Sequence, residues 1–171
     1  MTKNHAMTRV IPPIHLFFAN PFLYFHCQIK PGSRLDNLKR GDVIVFGSHW
    51  RGHFVLDTVF VVEERVALDD PKVCSKFLWA NKPFLNQFPN QVYLGATFAN
   101  PVNGMFSFFP TLPVHGNDPQ PFPLPILTLP NYINPALMMH HKISKSCNVA
   151  ALWMNIVDQV NRANLLLGLK S

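Results

Sequence analysis

Leu35 to Glu64 reads LDNLKRGDVIVFGSHWRGHFVLDTVFVVEE, and this stretch decides what kind of domain the chain builds. A polar opening with a short helical turn, Leu35 to Lys39, leads to Arg40-Gly41-Asp42. Val43 to Gly47 then reads as a strand, Ser48 to His53 as a basic and aromatic connection, and Phe54 to Val62 as a second strand. Asp57 and Thr58 interrupt the apolar run of that second strand. Six connecting residues are too few for a parallel crossover, so an antiparallel hairpin is expected, part of a small β-barrel that presents the connection. The pattern points to a face for recognition and establishes no reaction.

Working outward, Leu23, Phe25, Cys27 and Ile29 alternate with Tyr24, His26, Gln28 and Lys30, the period of a half-buried strand. Pro31-Gly32-Ser33 closes it with turn chemistry. Downstream, Pro71 opens an expected helix through Trp79, capped by Asp69 or Asp70. Val92–Ala99 and Met105–Phe109 read as further strands, with turn signals at Asn100-Pro101 and Asn103-Gly104. A helix over Cys147 to Leu167 is expected from its apolar stripe, with Ser146 as N-cap and Gly168 as its stop. Residues 1–13 read as a flexible lead-in. Residues 110–135 read as a Pro-rich surface crossing without regular structure, packed down by Phe122, Leu124, Ile126 and Leu129. No repeat or linker divides the chain, so residues 1–171 are expected to form one α+β domain, mostly antiparallel, with flanking helices.

Composition sets bounds on function. Hydrophobic residues make up 48% and charged ones 14%, which places the chain among globular proteins. The net charge of +6, with eight of the 15 Lys and Arg between Lys3 and Arg65, favours attraction to phosphates. Cys27, Cys74 and Cys147 form no CxxC pair and no dense framework, which suits a reduced, cytoplasmic setting. No apolar run approaches the roughly 20 residues that cross a bilayer. Val10 to Ala19 is broken by Pro12, Pro13 and His15, so no export signal is expected.

Ser48 to His53 carries the leading chemistry. Trp50 offers a flat surface to a base, Ser48, His49 and Gln28 offer hydrogen bonds to its edge, and Lys39, Arg40 and Arg51 offer cations to phosphate. The partner expected is therefore nucleic acid or a nucleotide, RNA or modified DNA. Asp57 shares a strand face with Val55, Val59 and Val61, where a carboxylate needs a partner: an amide, an Arg, or a His such as His26. That opens an alternative, an enzyme on nucleotides or nucleic acid with His49 or His26 as general base and Asp57 orienting it. A second alternative is a protein-interaction module using Phe122–Leu129 in polyproline II geometry. His49, His53, Asp57 and His26 lack metal-ligand spacing, as does the adjacent pair His140-His141, so no metal is expected. No GxSxG nucleophile elbow supports a Ser48–His–Asp57 or Cys27–His26 nucleophile, and without a GxGxxG or GxxxxGK[ST] run no nucleotide cofactor is expected.

Leu38 to Ser48, followed by Phe54–Val62 and Glu63-Glu64, resembles the strand–loop–strand unit of the PUA-like superfamily, including ASCH, EVE and nucleotide-modification-associated domains. The resemblance covers about 30 residues and rests on a short K-x-G-D-hydrophobic-aromatic-x-S signal. It implies a pseudo-barrel with peripheral helices and a cleft for RNA or a modified nucleobase. It places Ser48 and His49 where the family contacts its ligand. The chain departs from EVE domains in lacking their Trp-rich opening and Arg-rich helical segment.

Overall fold

The computed structural model describes residues 22–24, 38–73, 91–112, 125–128 and 148–169. In chain order the strands are β1 (Phe22–Tyr24), β2 (Val43–Trp50), β3 (His53–Ala67), β4 (Gln91–Gly95), β5 (Phe109–Thr111), β6 (Ile126–Leu127) and β7 (Leu166–Gly168). Helix α1 (Val149–Arg162) precedes β7.

The expected hairpin is present and longer than its hydrophobic runs. β2 pairs antiparallel with β3 from Val43 opposite Val61 to Trp50 opposite His53, leaving two turn residues instead of six. The other edge of β3 is completed piecewise. Leu127 and Ile126 lie opposite Phe54 and Val55, Phe108 bridges to Val59, and β4 pairs with Val62 to Ala67. β1 lies beyond β4, giving the order β1-β4-β3-β2 with β6 on β3, while β5 and β7 form a separate pair.

The architecture is α+β and mostly antiparallel. Among the described residues the strands trace an open sheet and a two-stranded pair, where a closed barrel was expected. The sheet nevertheless coils. Tyr24 of β1 and Phe46 of β2, at opposite ends of the strand order, bring their ring centroids to 5.2 Å.

β-Bulges in β3 explain its faces. The register passes from Phe46 opposite Thr58 to Gly47 opposite Leu56, so Asp57 is an extra residue. One inserted residue exchanges the faces. Phe54 and Leu56 before the bulge therefore share a face with Val59 and Val61 after it, and that face packs under α1. The opposite face holds Phe60 and Val62 with Phe22 and Tyr93. Asp57 itself is exposed, which corrects the expectation that it sits on the apolar Val55, Val59, Val61 face. Thr58, on the Phe60 and Val62 face, is the polar residue that β3 buries beside the bulge. A similar register shift between Val62 and Glu64 makes Glu63 extra.

Where β4 ends, Ala96 N–H still reaches Val61 O, and Ser107 then fills the gap: its hydroxyl accepts from Val61 N–H at 2.9 Å. The strand expected over Val92–Ala99 thus stops at Gly95, and the one expected over Met105–Phe109 resolves into single bridges followed by β5.

Helix α1 buries Leu152, Trp153, Ile156 and Val160 against the sheet, the stripe expected from the sequence. Its cap is Asn148, whose side chain accepts from Ala151 N–H at 3.1 Å, and not Ser146. The helix ends at Arg162 because Asn164 turns left-handed (φ 56) and drops Leu165 into the core. Leu166–Gly168 then pairs with Phe109–Thr111, so the predicted last turn of helix is strand and Gly168 is no helix stop. The helical spacing of those leucines carries no information about a partner strand over fifty residues upstream. Asn148→Ala is expected to cost about 1 kcal/mol of stability by denaturant titration, the usual loss for an N-cap.

Two short strands, β5 and β6, correct the expectation that residues 110–135 lack regular structure throughout. Of the expected Pro71–Trp79 helix only Pro71 to Val73 are described, and they form a turn in which Asp70 accepts from Lys72 N–H at 2.8 Å. Phe122, Leu124 and Leu129, and the strand residues beyond Tyr24, lie outside the described residues.

Candidate functional site at the hairpin tip

Arg51 and Gly52 join β2 to β3 with φ of 48° and 81°, the left-handed pair that defines a type I′ turn. That turn matches the twist of the strands and favours Asn-Gly. The chain uses that pair elsewhere: Asn103 (φ 51) and Gly104 (φ 77) make the same two-residue connection between Val102 and Met105. At the hairpin tip an arginine occupies the first position instead. A side chain of that kind costs roughly 1–2 kcal/mol in the left-handed region. Its guanidinium lies over the Trp50 ring, 5.5 Å from the centroid. An exposed cation–π contact returns only about 0.5–1 kcal/mol, so stability does not account for the choice.

Trp50 is 53% exposed. Register places its neighbours. Trp50 stands opposite His53, and two residues back Ser48, Val55 and Ile126 form a row across three strands. Phe54 and Leu127 are buried toward α1, so Val55 and Ile126 face the other way, with Ser48 and Trp50. Val55 is the buried floor; Ser48, His53 and Ile126 are exposed. The row spans about 10 Å, two strand spacings.

Other expected members lie elsewhere. Lys39 and Arg40 are exposed at the far end of the hairpin, about 23 Å away along seven strand steps. Their turn explains the K-x-G-D run locally: Asp42 N–H reaches Lys39 O at 2.9 Å, the Asp42 carboxylate accepts from Lys39 N–H at 2.7 Å, and Gly41 supplies φ 89° as in a type II turn. His49 holds the ladder position opposite Phe54. Gln28 and His26 lie outside the described residues.

Asp57 stands on the bulge between the turn and the sheet centre. Among the described residues no group of three metal-ligating side chains occurs. Lys72, with its ammonium held above the usual range by a hydrogen bond to Glu64, belongs to another part of the surface.

The described charges nearly balance. Lys39, Arg40, Arg51, Arg65, Lys72 and Arg162 stand against Asp42, Asp57, Glu63, Glu64, Asp69, Asp70 and Asp158. The +6 of the chain therefore comes from the remaining residues, and among the described residues Arg51 is the Lys or Arg at the tip.

Ile126, expected to help pack the Pro-rich crossing down, is 49% exposed, and Gln159 was not legible as a site residue. Gln159 on α1 clasps the main chain beside Ile126: its Oε1 accepts from Thr128 N–H at 2.7 Å and its Nε2 donates to Thr128 O at 3.1 Å. No local signal announces a pairing 31 residues apart. No family model, no curated protein and no solved structure matches the chain. Among the described residues no helix is long and apolar enough to cross a membrane.

Proposed function

We propose that the chain recognises nucleic acid or a nucleotide, without covalent chemistry, by stacking a base on Trp50 beside the Arg51 guanidinium. The observation that carries this reading is the strained Arg51: the turn retains a residue less suited to it than Asn, and that residue pairs a cation with a half-exposed indole. Strain kept without a stability return points to use. A base prefers such a flat, cation-bordered surface whatever its identity. Ser48 and His53 stand beside it to hydrogen-bond the base edge, and Arg51 contacts one phosphate. Lys39 and Arg40 serve a strand long enough to reach the other end of the hairpin. A PUA-like relationship and a cytoplasmic setting complete the reading, and both rest on the sequence.

Titrating the protein with short oligouridylate and oligothymidylate tests it. Trp50→Ala is expected to weaken binding by about 1–3 kcal/mol, the value of a lost base stack. Arg51→Asn is expected to weaken binding and to lower the salt slope by about 0.7, one phosphate on a single strand. The same Arg51→Asn change should leave stability unchanged or raised by up to about 1 kcal/mol, because it relieves the turn. Unaltered affinity in Trp50→Ala removes the tip from any binding site.

A further inference from the structure

Resting on that reading, we infer that Ile126 is the third wall of the base site and that Gln159, on a helix that faces the other side of the sheet, is the residue that sets it there. Ile126 belongs to a two-residue strand, too short to hold its place by pairing alone. Four other contacts fix it. Leu127 is buried in the core beside Phe54, Leu56 N–H donates to Pro125 O at 2.9 Å, and the Gln159 amide takes both main-chain groups of Thr128. Asn155, one turn back on α1, accepts the second Gln159 amide hydrogen at 2.7 Å and fixes which way the amide points. The result is an isoleucine 49% exposed, in register with Ser48 across Val55 and one row behind Trp50.

An apolar side chain beside a dedicated polar clasp, open to water on the same sheet face as an exposed aromatic and about 12 Å from it by register, leaves a shallow bay between them. A flat ring lying on Trp50 meets the branched edge of Ile126 there and removes both from water. The occupant is the planar base itself. Ile126 supplies shape without hydrogen bonds, and Ser48 remains the polar contact in the row.

The test measures oligouridylate affinity together with amide exchange in wild type, Ile126→Ala, Gln159→Ala, the double variant and Trp50→Ala. Ile126→Ala is expected to weaken binding about threefold to tenfold, from the apolar surface it removes. Gln159→Ala should weaken it comparably and speed exchange at Leu56 N–H, whose acceptor is in the released segment. Because Gln159 is a positioning residue that acts through Ile126, the double variant should bind no worse than Ile126→Ala.

Additive losses in the double variant, or an Ile126→Ala affinity equal to wild type while Trp50→Ala binds poorly, overturn the inference and leave the tip reading intact. Wild-type binding that Trp50→Ala does not change, or no binding at all, overturns both. Thermal melts confirm that each variant compared is folded.

Discussion

Gly47→Ala is expected to cost about 3 kcal/mol or more, at the upper end for overpacking. A Cβ there would stand 2.1 Å from Val55 O and 2.5 Å from the Phe54 ring. The first is main chain inside the hairpin ladder, and the second is a buried core side chain, so neither can move aside cheaply. The position lies where the Asp57 bulge shifts the register, and the strands approach closely because Gly47 has no side chain. Gly52→Ala is the control. It keeps a φ of 81° but meets nothing within 4 Å, so only backbone strain of roughly 1 kcal/mol applies. Urea midpoints of the two variants should differ in that order, and similar small losses in both would show that the bulge is not packed as described.

Trp153→Ala is expected to cost about 3–5 kcal/mol, the range for truncating a large core aromatic. Its ring meets Phe106 edge-on at 5.1 Å and Phe108 at 6.2 Å, and its Nε1–H donates to Phe106 O at 3.0 Å. This one side chain joins α1 to the segment that bridges β3 at Val59. Trp153→Phe separates the contributions: it keeps most of the packing and leaves a carbonyl unpaired, for a loss of about 1–3 kcal/mol. A Trp153→Ala variant as stable as Trp153→Phe would show that the ring packing contributes little. Loosening of α1 should also release the Gln159 clasp, so oligonucleotide affinity is expected to fall in Trp153→Ala although the residue lies on the opposite face from Trp50.

The parts legible in the sequence are those with local causes. Two apolar runs around a short polar connection predict the hairpin, though not that its ladder runs on to Trp50 and His53 and leaves Arg51-Gly52 as the turn. Helix α1 follows from its three- and four-residue apolar spacing. Trp50 was legible as an exposed aromatic because it sits among Ser, His, Arg and Gly.

Asp57 shows the limit: simple alternation puts it on the Val55 face, and only the ladder with β2 reveals that it is an inserted residue. Leu166 and Leu167 show another, since helical spacing and strand pairing compete for the same apolar residues and β5 decides the outcome. Lys39 and Arg40 look close to the loop in sequence, but an extended strand puts them at the opposite end of the hairpin.

The order of the chain by itself determined a mostly antiparallel α+β domain, its main hairpin and the aromatic, cationic character of the tip. These follow from side-chain periodicity and turn chemistry, which act over a few residues. Tertiary structure alone decided which face Asp57 takes, where α1 gives way to β7, and that Ile126 stands across Val55 from Ser48 in a segment that Gln159 holds at Thr128. Each of those depends on a partner brought in from a distant part of the chain, and a hydrogen bond or buried contact of that kind leaves no mark on the residues next to it.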